Sequence, residues 1–167
     1  MCDDQGVTSV HDIPIAYTPP GGYGTTFPPP ILAGCTDALA DDVPDLRGTW
    51  HVVAAFDDSG GALAADHPIR RHVERIEQAG LRVVVTADGI IHDMVADGTL
   101  DHGVHDVAAF DFTTPIHVTA SFEDGVLVLR PDGLPGVEVS RWREGDELVW
   151  RYHTAFTVRM ERVSPLA

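Results

Sequence analysis

Lysine is missing from every segment of this chain that reads as a strand, which leaves Schiff-base chemistry without a natural nucleophile. Basic residues of either kind are missing from positions 1–31, so the charged opening of a secretory signal has no counterpart there. Leu32-Ala33-Gly34-Cys35 spells a lipobox, but Pro19-Pro20-Gly21-Gly22 and Pro28-Pro29-Pro30 stand where its apolar stretch belongs, and lipidation is not expected. No apolar run approaches the ~20 residues that span a bilayer as a helix. The Gly-x-Ser-x-Gly elbow, the Walker-type Gly-Lys-Ser/Thr loop and a dinucleotide fingerprint after a strand are all missing, so nucleotide-dependent enzymology has no footing. Cysteine is nearly absent. Cys2 and Cys35 both precede the first strand, where a bridge would tie only that segment to itself, and a reduced, cytoplasmic protein is expected.

Positive charge is the remaining scarcity. Against 26 acidic residues stand 11 basic ones, a formal charge of −15, and such a field repels phosphate backbones and anionic bilayers. Neither nucleic acid nor a membrane is expected as a partner. The absence of Lys beside abundant Ala, Val, Asp and Arg points to a bacterial source. With 167 residues, 44% of them hydrophobic, the chain suits one core.

What is present is a train of short strands broken by tight turns. Residues 1–45 form an arm of Pro, Gly, Thr and Asp that cannot make a core alone. It carries Ile13, Ile15, Tyr17, Tyr23, Phe27, Ile31 and Leu32, too many apolar groups for a solvated tail, and is expected to pack on the barrel wall or across a mouth. Residues 46–167 form the barrel. Strands are expected at 48–56, 72–78, 81–87, 90–96, 99–106, 115–122, 126–131, 136–143, 147–153 and 155–163. Ala79-Gly80, Asp88-Gly89, Asp97-Gly98, Asp124-Gly125 and Gly145-Asp146 mark hairpin turns. Consecutive hairpins imply an all-β, antiparallel up-and-down β-barrel of about 8–10 strands, whose closure removes the exposed edges.

Leu46-Arg47-Gly48-Thr49-Trp50 resembles the Gly-x-Trp opening of the lipocalins and fatty-acid-binding proteins, the calycin group. The closing segment, Phe156 to Val163, is similar to the last strand of those families, where a basic residue packs over the Trp. Arg159 and Arg162 are both candidates for that place. The resemblance implies a ligand-holding barrel with one wide and one closed end. It departs from fatty-acid-binding proteins in lacking a helix-turn-helix lid after the first strand. It departs from nitrobindin-like haem barrels in lacking their Gly-rich opening strand, which leaves His153 without support as a haem ligand.

Hairpin register predicts which side chains face inward. A two-residue Ala79-Gly80 turn sets Ile76 opposite Val83 and Glu74 opposite Val85, with Glu77 and Arg82 paired outside in water. Carried through Asp88-Gly89, His92 falls opposite Val85 and Met94 opposite Val83. Carried through Asp97-Gly98, Asp101 and His105 share that inner face, while Asp93 and His102 pair outside. Gly145-Asp146 sets Arg141 beside Trp150 and Val139 beside Tyr152. The expected lining is Glu74, Leu81, Val83, Val85, His92, Met94, Asp101, His105, Arg141, Trp150 and Tyr152.

Polar groups on an inner face need partners, water or ligand, because unpaired burial costs about 1–3 kcal/mol each. The principal expectation is therefore binding of a small, largely apolar molecule inside the barrel, without a resident cofactor. An enzyme without an organic cofactor (cyclase, isomerase, dehydratase or decarboxylase) would use His92 or His105 as proton shuttle, with Asp101 or Glu74 as its partner. A structural module would instead present Asp93, His102, His117 and Arg151 on its outer face, and a homodimer is compatible with any of these. No metal site is expected: His102-Gly103-Val104-His105 sends its two imidazoles to opposite faces, and no His-x-His or Cys pair exists.

Overall fold

The computed structural model describes residues 9–35 and 37–163. Ten antiparallel strands form one sheet: β1 (Gly48–Phe56), β2 (Val73–Ala79), β3 (Arg82–Ala87), β4 (Ile90–Val95), β5 (Val104–Val107), β6 (Pro115–Glu123), β7 (Val126–Pro131), β8 (Val139–Glu144), β9 (Glu147–Tyr152) and β10 (Phe156–Arg162). Their spatial order, β4-β3-β2-β1-β10-β9-β8-β7-β6-β5, is a meander joined across β1 and β10. The ends of the sheet, β4 and β5, come round to each other without forming a ladder. Val95 N–H donates to His102 O at 2.8 Å, and an isolated bridge links Asp97 to Ser121. The expected all-β barrel is what forms, nearly closed.

Local sequence explains most of the hairpins. Asp88 and Gly89 take φ of 51° and 89°, and Asp124 and Gly125 take 51° and 80°. Positive φ at both central residues matches the twist of the flanking strands, which is why Asp-Gly is favoured there. In β1 the register shifts between Val52 and Ala54, a bulge that turns Val53 outward and lets Ala55 resume the inner face.

Two registers differ from expectation. Ala79 pairs with Arg82, so the loop is Gly80-Leu81 rather than Ala79-Gly80. Ile76 therefore sits opposite Val85, and Glu74 opposite Ala87. The slip is two positions, the strand's own period, so every side chain keeps its face. Leu81 itself moves into the turn and is partly exposed. The second difference is larger. Asp97-Gly98 is no hairpin, and residues 99–103 form an irregular loop ahead of the four-residue β5.

The inner faces of the strands build the main core around Trp50, Ile76, Val83, Met94, Leu127 and Met160. A second, smaller cluster of Val10, Leu32, Ala79, Val84 and Ile91 lies on the outer side of β2, β3 and β4, beneath the arm. The arm runs up this wall, with Ala16 N–H on Asp93 and Thr18 N–H on Asp106. It turns where Tyr23 N–H meets Gly89 O, then descends past Glu77, which accepts from Ile31 and Leu32 N–H.

Arg82 fastens the arm. Its guanidinium donates to Val10 O at 2.8 Å, Ile13 O at 2.6 Å and Pro14 O at 2.9 Å, and to Asp93 at 2.9 and 2.6 Å. Both ionic side chains are almost fully buried, so the expected Glu77–Arg82 pair in water is corrected to a buried Arg82–Asp93 pair. The arm converts what would be an outer face into interior. Cys35 is disulfide-bonded, which corrects the reduced reading of the cysteines; Cys2 lies outside the described residues. Among the described residues no helix is long and apolar enough to cross a membrane.

Candidate ligand-binding site

One end of the barrel is sealed. Trp50 is fully buried and its Nε1–H donates to Leu46 O at 2.9 Å. The Arg162 guanidinium lies 4.7 Å from the ring centroid and that of Arg143 5.3 Å, so the Trp is capped by two cations. Arg159 instead faces Glu144 and Glu147, which decides between the two basic candidates in favour of Arg162. Gln78 closes the remaining gap, accepting from Leu46 N–H at 2.6 Å and donating to Pro44 O at 3.0 Å.

At the opposite end gather the β1–β2 connection, the Asp88-Gly89 turn and the β9–β10 turn. From this rim a chain of four charged groups runs inward. His72, one residue before β2, lies 2.8 Å from the Asp88 carboxylate through Nδ1 and 2.7 Å from Glu74 through Nε2. Glu74 in turn accepts from Arg141 Nε at 2.8 Å and Nη2 at 3.1 Å. The Asp88 side chain is 60% exposed, whereas His72, Glu74 and Arg141 are buried. The alternation His72-x-Glu74-x-Ile76 places these groups on one face of β2; Arg141 reaches them from β8, across the barrel.

Burial alone would lower the His72 pKa, but its hydrogen bonds to Asp88 and Glu74 outweigh this and carry it up to about 9. Burial alone would raise Glu74; Arg141 and His72 prevail and hold it at about 2. At neutral pH the chain is thus alternately charged, two anions and two cations, and internally neutral. Opposite charges in contact offset the desolvation that each would suffer alone.

Aromatic rings lie along this chain. The Arg141 guanidinium is 4.8 Å from the Trp150 centroid, and the His72 ring is 4.6 Å from it. Phe156 meets Trp150 edge-on at 5.0 Å and stacks on Tyr152 at 5.5 Å, and Tyr152 is 45% exposed at the rim. Trp150 Nε1 is buried without a hydrogen-bond partner. A cleft of about 350 Å³ opens beside His72, lined also by Pro68, Ile69, Arg71 and Asp88. The volume falls in the lower part of the range for small-molecule pockets.

No protein-family model and no curated protein matches this sequence. Among solved structures the chain is similar to human cRBP IV, with a TM-score of 0.54 and 16% identity over 72% of this chain and 99% of that one. The meander, the sealed Trp50 end and this likeness agree. The fold is calycin-like.

Within this calycin-like barrel the expected lining residues have separate fates. Glu74, Val83, Val85, Met94, Arg141 and Trp150 are buried, and Tyr152 lies at the rim. His92 lies opposite Val85, as expected, and its Nε2 is 3.1 Å from Val107 O. Burial lowers its pKa despite that hydrogen bond, which favours the neutral imidazole.

Three expectations are corrected. Asp101 is exposed in the loop before β5, and Val104 rather than His105 occupies the inner face. His105 turns outward and pairs with His117. His92, Asp101 and His105 are therefore not brought together, and no acid–base set assembles from them. Asp93 and His102 do not pair outside either: Asp93 holds Arg82 and His102 holds Asp97.

Sequence reasoning missed His72, Asp88 and Phe156. His72 was recoverable from its two-residue spacing to Glu74, since positions i and i+2 share a face. Asp88 carried only a turn signal, and its second role depends on the His72 ring reaching it.

Proposed function

We propose that this barrel binds a small, largely apolar molecule at its open end, seated on Trp150, Tyr152 and Phe156. Val83, Val85 and Met94 continue the apolar wall inward. Glu74, His92 and Arg141 bound the site as its polar limit, and Trp150 supplies the donor that orients the ligand. The observation that carries this reading is the Trp150 Nε1–H, buried beside a fully paired charge chain yet without an acceptor of its own. Buried donors are nearly always satisfied, so one left open among the rim aromatics marks where a ligand's acceptor belongs. The calycin fold supports the reading as a container, and human cRBP IV is a retinol-binding protein of that fold. Fold alone does not specify a ligand.

The test joins native mass spectrometry of protein purified without denaturation to a fluorescence titration with all-trans-retinol and with 1-anilinonaphthalene-8-sulfonate. Saturable binding of one molecule per chain is expected, weakened several-fold by Trp150→Phe, which keeps the ring and removes the donor. Loss of one good hydrogen bond is worth about 0.5–1.5 kcal/mol. No retained molecule, together with no saturable binding of either probe, would overturn the proposal.

A further inference from the structure

The irregular entry into β5 has a consequence on the opposite side of the wall from the cleft. By turning His105 outward it sets that ring directly across from His117 on β6. The two Nδ1 atoms are 2.7 Å apart, and the ring centroids are 4.8 Å apart at 67°. His105 Nε2 lies 2.7 Å from Leu100 O. A carbonyl oxygen can only accept, so Nε2 carries the hydrogen and the neutral ring's Nδ1 presents its lone pair. The hydrogen between the two rings then belongs to His117 Nδ1.

We propose that His105 and His117 are a two-imidazole chelate for a divalent late transition-metal ion, with copper(II) held most tightly. Metal–imidazole bonds of ~2.0–2.1 Å at angles of ~90–109° place two nitrogens ~2.9–3.3 Å apart. The existing 2.7 Å separation reaches that span with a movement of a few tenths of an ångström. His105 is already in the required tautomer, its far nitrogen held by a backbone carbonyl in the way that orients imidazole ligands. His117 moves its hydrogen from Nδ1 to Nε2 on the exposed outer wall, and both rings tilt so that the two Nδ1 lone pairs converge on the ion instead of on each other.

Imidazole donors suit copper, nickel and zinc, with copper(II) strongest in that order. Among the described residues no group of three His, Cys, Asp or Glu side chains is placed to hold a metal, so water completes the coordination. The site escapes a reading of the chain for His-x-His spacing because it is assembled across two strands. Bound metal would staple the four-residue β5 to β6, at the edge where β4 and β5 form no ladder.

The test is calorimetric titration of the full chain with copper(II), nickel(II), zinc(II) and magnesium(II) chlorides, with electron paramagnetic resonance of the copper(II) form. One copper(II) per chain is expected at this site, bound more tightly than nickel(II) or zinc(II), with nitrogen hyperfine structure from two imidazoles and no binding of magnesium(II). His105→Gln and His117→Gln should each weaken copper(II) at least tenfold, while His153→Gln changes it less than twofold. Folding of each variant is checked by circular dichroism, which these outer-wall substitutions should leave unchanged. Copper(II) affinity unaltered in the double variant, or lowered by only one of the two substitutions, would overturn the chelate.

Discussion

Replacing Glu74 by Gln tests whether the charge chain is the strut of the barrel interior. Glu74 is fully buried and accepts from both Arg141 and His72. The amide nearly preserves its shape but leaves Arg141, itself only 5% exposed, without its counter-ion. Removing one partner of a buried ion pair costs about 3–5 kcal/mol. For a domain of this size each kcal/mol moves Tm by about 2–4 °C, so a fall of about 6–20 °C is expected. The low end applies if His72 sheds its proton once Glu74 is neutral, which leaves one buried positive charge instead of two.

Urea unfolding followed by circular dichroism, repeated from pH 3 to 10, separates these terms. In the wild type the His72 pKa is raised from 6.5 to about 9. Its contribution is full below pH 6.5 and disappears as pH rises through about 9. The Glu74 pKa is lowered from 4.5 to about 2, so its contribution is full above pH 4.5 and disappears as pH falls through about 2. In the Glu74→Gln variant the acid limb should flatten, and the alkaline limb should shrink and end at lower pH because His72 keeps only Asp88. Replacing both partners, Glu74→Leu with Arg141→Met, should recover much of the loss, since an apolar pair carries no desolvation term. A Glu74→Gln variant within about 1 kcal/mol of wild type, with an unshifted alkaline limb, would refute the reasoning.

Two further perturbations probe how the wall is built. Arg82→Met removes the three carbonyl contacts that fasten the arm and leaves Asp93 buried without its cation; a loss of about 3–5 kcal/mol is expected. Hydrogen exchange in residues 10–18 should rise well above that in β6 and β7, and equal protection in both would contradict the fastening role. Gly103→Ala places a Cβ 1.9 Å from Val118 O, a backbone atom that cannot swing aside. It should lower Tm more than Gly98→Ala, where a Cβ meets open space and only a left-handed conformation, about 1–2 kcal/mol, is strained; the reverse order would contradict the close approach of β5 and β6.

The barrel was legible in the sequence because hairpin turns and strand alternation are both short-range signals. Asp88-Gly89, Asp124-Gly125 and Gly145-Asp146 gave the registers found, placing His92 on Val85, Phe122 on Leu127 and Arg141 on Trp150. The Gly80-Leu81 slip did no harm to facing, since it moved by a whole period. The bulge at Val53 left no mark in composition. What the sequence could not show was contact between elements remote in the chain. Glu74 and Arg141 are 67 positions apart, and their meeting depends on curvature that no local pattern encodes. The same holds for Arg82, whose partners in the arm lie about 70 positions upstream.

The misread segment is the most instructive, because its cause is visible. Asp97-Gly98 has the same letters as the true hairpin turns, but the Asp97 carboxylate accepts from Thr99 N–H at 3.0 Å and Thr99 Oγ1 at 2.7 Å, and pairs with His102. A side chain that captures its own following backbone offers that backbone an alternative to the ladder. The chain then loops instead of reversing, and β4 and β5 never form a ladder with each other. Pairing resumes only at Val104, with opposite facing, so the inner position goes to Val104 and the imidazole of His105 goes outside. One Asx-type turn thus removes a proton carrier from the interior, leaving His92 there with a backbone partner, and delivers the same residue to His117 on the outer wall. The loss of the acid–base set and the gain of the paired imidazoles are one event in the chain, and Asp97→Ala, by releasing that turn, would perturb both.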